Sequence, residues 1–215
     1  SRSIALAAAS TGLLKHWGLW AELEPKACAI AHIRVSDRGH FGKTHLSAAE
    51  YLQGALGYVL EVEHLGKLLS EKLAAKTQLS RFAPASISNI TPLQDKQLLT
   101  LADGQQLSSK LLLIAEGGLS QSRALAGFSV NERRYGQHAI IANLALAQPH
   151  QHTAFERFTE HGPIALLPLP QQRYSLVYTL DDAAVNQVMQ LDDAAFVNHV
   201  QQAFGYRAGV FNSSG

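Results

Sequence analysis

The apolar positions of this chain follow two rhythms, and the balance between them shifts along its length. From Ser10 or Thr11, either of which can cap a helix, Leu13, Leu14, Trp17 and Ala21 recur at helical spacing, and Gly18 sits near the end. Ala31 to Asp37 alternates apolar and polar as a half-buried strand does, Arg38-Gly39-His40 turns the chain, and Phe41 to Ser47 returns as a second strand. Gly57 to Glu61 is a short extended stretch that leads into a helix bearing Leu65, Leu68, Leu69 and Leu73. Asp103-Gly104-Gln105 joins extended runs over 97–102 and 106–114, and Asp-Gly between such runs predicts a hairpin because both residues tolerate positive φ. Past Arg123 and a turn at Gly127 the strands lengthen, over 137–147, 153–159, 163–169 and 173–180. Asp181-Asp182 and Asp192-Asp193 then stand where caps belong, before helices over 183–190 and through Phe196, Val200 and Phe204.

One stretch organises the first part of this pattern. Lys110 to Ala115 predicts a buried strand that stops at Glu116-Gly117-Gly118 and restarts as a helix carrying Arg123. In open α/β sheets that junction is where cofactors lie, their phosphates met by the amides of a helix N-terminus. Taken alone, the glycine pair reads as a structural turn ahead of a ligand crevice. Arg2, beside the apolar Ile4-Ala5-Leu6, and Arg123 have the same two readings, a solvated anchor or a phosphate ligand. The fold expected from the pattern is α/β plus antiparallel sheet (α+β), with a seam near residue 130.

Composition narrows the function. With 215 residues, 47% of them hydrophobic, the chain can build a sizeable core, and a net charge of +1 without a dense Lys/Arg run excludes a nucleic-acid footprint. Cys28 stands alone, so no internal disulfide forms, and its expected place is the core of a protein in a reducing cytoplasm. No apolar run approaches the length of a membrane span and no signal-peptide pattern opens the chain. Ten histidines include His150, His152 and His161 in one neighbourhood, but no cysteine pair or His-x-x-x-His supports them, so no metal is expected. No Gly-x-Ser-x-Gly elbow supports a hydrolase.

Three stretches, taken together and in this order, carry a resemblance. They are Arg2 to Ala7, His32 to His40 and Phe155 to Pro163 (Phe-Glu-Arg-Phe-Thr-Glu-His-Gly-Pro), and they resemble the bacterial ubiquinone-biosynthesis hydroxylases, FAD-dependent class A aromatic monooxygenases. The resemblance implies a p-hydroxybenzoate-hydroxylase-type fold with interleaved regions: 1–31 and 59–130 from the FAD-binding domain, 32–58 and 131–215 as substrate-binding sheet and helices. It implies that Arg2 approaches the FAD pyrophosphate, that Glu116-Gly117 falls on the family's Asp-Gly motif between flavin and nicotinamide, and that Arg123 is the arginine of that motif's helix. Glu116 departs from the usual aspartate by one methylene. The expected reaction is hydroxylation of the aromatic ring of a polyprenyl phenol, using NAD(P)H and O2.

The resemblance also marks what is missing. No Gly-x-Gly-x-x-Gly with its strand precedes Arg2 and no Gly-Asp motif follows Tyr206, so the chain is expected to be a central fragment that neither binds FAD well nor acts alone. The uncharged run Ile164 to Leu169 suits a neutral polyprenyl phenol, with Leu167 and Leu169 as its contacts; a plain core-facing strand is the equal alternative. A membrane-borne substrate is compatible with a peripheral membrane contact or a ubiquinone-biosynthesis complex. A reading from another class is a flavin-free lipid-binding or assembly module.

Overall fold

The structure is a computed structural model, and it describes residues 2–51 and 54–214; Leu52 and Gln53 of the expected 32–58 segment, and the terminal residues Ser1 and Gly215, lie outside the described residues. In chain order the elements are β1 (Ser3–Ala7), α1 (Ala8–His16), α2 (Trp20–Leu23), β2 (Cys28–Ile30), β3 (His32–Asp37), β4 (Lys43–Ser47), β5 (Gly57–Glu61) and α3 (Val62–Ala74). They continue as β6 (Ile87–Pro92), β7 (Gln97–Leu101), β8 (Gln106–Ser109), α4 (Gln121–Leu125), β9 (Gln137–Leu146), β10 (Thr153–Phe158), β11 (Ile164–Leu169) and β12 (Arg173–Asp181). Helices α5 (Asp182–Val188) and α6 (Asp193–Phe204) and strand β13 (Phe211–Ser214) close the chain. Contacts divide these elements into two compact units, one of Ser1–Ala75 with Tyr135–Gly215 and one of Lys76–Arg134.

The larger unit is built on a seven-stranded sheet in the order β13-β9-β12-β11-β10-β3-β4. Every pair is antiparallel except β10 with β3, which run parallel. Strand alternation gives the sheet two apolar faces. On one, Phe155, Leu166, Tyr174 and Leu176 pack with Val197, Val200 and Phe204 of α6 and Val188 of α5. On the other, Ala154 and Leu169 pack with Ile30 and Val59, and Ile33 and Leu167 add to that cluster. Because both faces are covered, β11 reads almost continuously apolar, Ile-Ala-Leu-Leu-Pro-Leu. Asp181 accepts from the amides of Ala183 and Ala184, and Asp192 from that of Ala195, so both expected caps form.

A second sheet of this unit, β1-β5-β2, carries α1, α2 and α3 over a cluster of Leu14, Trp20, Leu23, Leu60 and Leu68. Gly57 is required where β5 meets β1: a Cβ there would lie 2.6 Å from the carbonyl oxygen of Leu6. The first helix corrects the expectation. It begins at Ala8, with Ala7 as its cap residue, and Thr11 lies inside it, its hydroxyl donating to the Ala8 carbonyl at 2.8 Å. Gly18, at φ +70°, ends the turn that follows, and Trp20 opens a separate short helix, so Ala21 belongs to a second element.

The smaller unit holds the three-stranded antiparallel meander β6-β7-β8 and α4. The Asp-Gly hairpin forms, with Gly104 at φ +88° and the Asp103 carboxylate accepting from the Gln105 amide at 2.9 Å. Its second strand stops at Ser109, however, and the predicted strand over Lys110–Ala115 is absent. Leu111 and Leu113 are 71% and 78% exposed. The physical reason is pairing: β8 bonds to β7 through Ser109, and beyond it no strand among the described residues offers the segment a ladder. Apolar composition alone does not make a strand.

Candidate functional site

The junction after this segment is held by its own side chains. Glu116 Oε1 accepts from the Ser120 hydroxyl at 2.5 Å and from the Ser122 amide at 2.8 Å, and Oε2 accepts from the Ser122 hydroxyl at 3.1 Å. Ser120 is the N-cap of α4, its oxygen accepting from the Arg123 amide at 3.0 Å. The Arg123 guanidinium turns back to donate to the Gly118 carbonyl at 2.9 Å. Gly117, at φ +86°, supplies the left-handed residue the turn needs. The Ser120 hydroxyl first and then the Ser122 amide, with lesser help from the Ser122 hydroxyl and the Arg123 charge, hold the Glu116 carboxyl below its ordinary range against desolvation. The structure thus brings Glu116, Gly117 and Arg123 into one turn. The two serines were missed from sequence; serine at the cap and two residues on, after a carboxylate, is the signal that marks them.

Arg2 lies in the other unit, exposed, at the start of β1, where its carbonyl accepts from the Val62 amide at 2.9 Å. Leu167 and Leu169 share one face of β11. Leu169 is fully enclosed with Ile30, Val59 and Ala154, and Leu167 is half-buried at the border of that cluster. On the neighbouring strand β10, Glu156 stands opposite Ala165 in register and so on the same face. Glu156 is half-buried, is in no ion pair among the described residues, and desolvation pushes its carboxyl above the ordinary range. It too escaped sequence reasoning; a lone carboxylate between Phe155 and Arg157 on a buried strand is the pattern that points to it.

Folding also brings Cys28 to His150 and His152, which the sequence separates by more than half the chain. Cys28 Sγ is 4.0 Å from His150 Nε2 and 3.5 Å from His152 Nδ1. Both ring nitrogens are already committed: His150 Nε2 meets the Leu169 carbonyl at 2.9 Å, and His152 Nδ1 meets that of Ala29 at 3.1 Å. His150 Nδ1 in turn accepts from the His152 amide at 3.0 Å, so its ring has no free lone pair for a metal. Burial raises the Cys28 thiol to about 11. The trio is a hydrogen-bonded clip between β2 and the turn before β10. His161 is apart from it, exposed beside Glu160 at 3.6 Å.

No family model matches the chain. Over 208 residues, 97% of its length, it is 33% identical to ubiquinone hydroxylase UbiL of Rhodospirillum rubrum, and it covers 48% of that protein. The chain is thus similar to a ubiquinone hydroxylase over nearly its whole length. A second relative of this group, the 3-demethoxyubiquinol 3-hydroxylase of Escherichia coli, is 29% identical over 97% of the chain, which covers 53% of it. The chain spans about half the length of the curated relatives it matches. Among solved structures, Pseudomonas aeruginosa PqsL in complex with 2-aminobenzoylacetate matches with a TM-score of 0.78 at 18% identity, over 94% of the chain and 56% of PqsL. Klebsiella pneumoniae HpxO with FAD and uric acid matches with a TM-score of 0.68 at 16% identity, over 95% of the chain and 53% of HpxO. The fold is that of FAD-dependent monooxygenases, mixed α/β with antiparallel sheet.

The turn at 116–123 does not by itself fit a flavin nucleotide. The amides of Ser122 and Arg123, which a phosphate would use, are taken by Glu116 and Ser120, and the short helix behind them spans five residues. The residues present offer an edge, with Gly117 and Gly118 open to solvent, and no diphosphate cradle. No helix of the described residues is long and apolar enough to cross a membrane.

Proposed function

We propose that the parent polypeptide is an FAD-dependent monooxygenase that hydroxylates the ring of a polyprenyl phenol in ubiquinone biosynthesis, with NAD(P)H and O2 as co-substrates. One observation carries this reading: the identity to a ubiquinone hydroxylase extends over 97% of the chain, through both compact units. In this reading 1–31 and 59–130 belong to the FAD-binding region and 32–58 and 131–215 to the substrate region. Arg2, Glu116, Gly117 and Arg123 face the cofactor, and the chain alone holds FAD weakly because its turn is an edge without a cradle.

The substrate face is the side of β10 and β11 that carries Leu167 and Glu156. Leu167, the half-buried member of the leucine pair, contacts the ring or the first prenyl unit, and the enclosed Leu169 supports it from behind. The uncharged run Ile164–Leu169 favours a neutral phenol over a carboxylate, which would call for an arginine there. Glu156, whose carboxyl desolvation raises above the ordinary range, is the group proposed to exchange a proton with the phenol hydroxyl, since a more ionised phenol is a more electron-rich ring. A peripheral membrane contact follows from a membrane-borne substrate. The test is hydroxylation of a polyprenyl phenol by the full-length protein with Leu167→Arg. Loss of product with the melting temperature retained is the expected result; retained turnover, or outright unfolding, contradicts the substrate role.

A further inference from the structure

The face of the seven-stranded sheet opposite Leu167 carries a second feature, which the hydroxylase reading does not use. Near the β3–β4 edge it opens a cavity of about 550 Å³. Its floor is Phe155 of β10 and Phe204 at the end of α6, rings packed edge to face at 5.7 Å. Its walls include Arg34, Lys43, His45 and Arg207. The register explains the convergence. Arg34 stands between Phe155 and His45, and Ser36 stands between Arg157 and Lys43, so two rows two residues apart present their side chains to one face. Arg207 arrives from the turn after α6, which Gly205 ends at φ +85°.

The charges are uncompensated. No acidic residue lines the cavity, and Arg34, Lys43, Arg157 and Arg207 take part in none of the ion pairs among the described residues, where lysine and arginine pair as Lys72–Glu22, Arg134–Glu132 and Arg173–Glu61. Asp37, the carboxylate at the end of β3, is engaged by His40 Nδ1 at 2.9 Å. Arg157, in the row of Ser36 and Lys43, has a buried Nε with no partner. Desolvation, and then the charges of Arg207 and Arg38, pull its guanidinium below the ordinary range, with Asp37 opposing. Converging cations over an aromatic floor are costly in an empty cavity and favourable around an anion. A planar guanidinium pair suits a phosphate's oxygens, with a lysine as the added point charge.

We propose that this cavity binds a phosphate-bearing small molecule, the phosphate held by Arg34, Arg207 and Lys43 and its apolar part resting over Phe155 and Phe204. The phosphate can belong to a soluble ester or to a lipid headgroup, and one experiment separates the two. The chain is titrated calorimetrically with inorganic pyrophosphate, and in parallel its sedimentation is followed with phosphatidylcholine vesicles lacking or containing phosphatidic acid. Saturable pyrophosphate binding marks a soluble ligand; co-sedimentation with phosphatidic-acid vesicles without it marks a headgroup. In either case Arg34→Gln with Arg207→Gln weakens the binding at least ~10-fold at an unchanged melting temperature, while Arg81→Gln, an exposed arginine of the other unit, leaves it intact. Absence of both signals, or a signal that the Arg34/Arg207 variant keeps or Arg81→Gln loses, overturns the proposal. The hydroxylase reading is untouched by that failure, because the cavity opens on the other face of the sheet.

Discussion

Two apolar runs of this chain look alike in sequence and behave differently in the fold. Ile164–Leu169 becomes a central strand, bonded to β12 along its length and to β10 over Ile164–Leu166, with Ile164, Leu166 and Leu169 at 0% exposure. Leu111–Ala115 forms no strand, and Leu111 and Leu113 stand in solvent. The runs share composition; what differs is the neighbours. A strand is a product of its ladder, because each amide and carbonyl removed from water needs a partner, and β11 has partners on both edges where 110–115 has none among the described residues. The larger unit brings its own sheet, and the smaller unit exposes the segment next to its candidate cofactor turn.

The comparison breaks or sharpens at several points. The largest effect is expected in the core: Leu166→Ala costs about 2–5 kcal/mol in chemical denaturation, whereas Leu113→Ala changes stability by less than about 0.5 kcal/mol. Equal costs at both sites would mean that 110–115 is packed in solution. Next is the cap of α6, where Asp192→Ala costs about 1 kcal/mol by loss of its bond to the Ala195 amide, read in the same denaturation series.

The smallest effects are in pH dependence, and the two units give opposite signs. Glu116 has a lowered folded pKa, so its contribution is present above the ordinary carboxylate pKa and is lost as pH falls through the folded value. The Ser122 amide resonance in the smaller unit should follow that loss, and Glu116→Gln should abolish the response. Glu156 has a raised folded pKa, so between the ordinary and the raised value the folded state holds the extra proton and stability declines as pH rises. Glu156→Gln removes that decline, and thermal melts across the mildly acidic range will show it; an unchanged slope contradicts a desolvated carboxyl on the sheet.

What the sequence made legible follows the same division. Local signals held: both aspartate caps, the Asp103-Gly104 hairpin and the long strands of the second half each depend on residues a few positions apart. Readings that depend on distant partners did not emerge from spacing. The parallel pairing of β10 with β3, the meeting of Cys28 with His150 and His152, and the rows that set Arg34 beside Phe155 come from chain segments more than a hundred residues apart. The Lys110–Ala115 strand failed for the same reason. Within the candidate site, Glu116 and Gly117 were visible as a glycine turn, while Ser120 and Ser122, which tie the carboxylate down, are defined by hydrogen bonds that close only in three dimensions.

In the proposed reading this chain supplies the substrate sheet and one edge of the cofactor site of a flavin-dependent hydroxylase. The direct measurement is flavin absorbance after equilibration with FAD and gel filtration, for the 215-residue chain and for the full-length protein in parallel. Stoichiometric flavin on the full-length protein, with little or none on the chain, is the predicted result. Stoichiometric flavin on the chain alone, or none on the full-length protein, would contradict it.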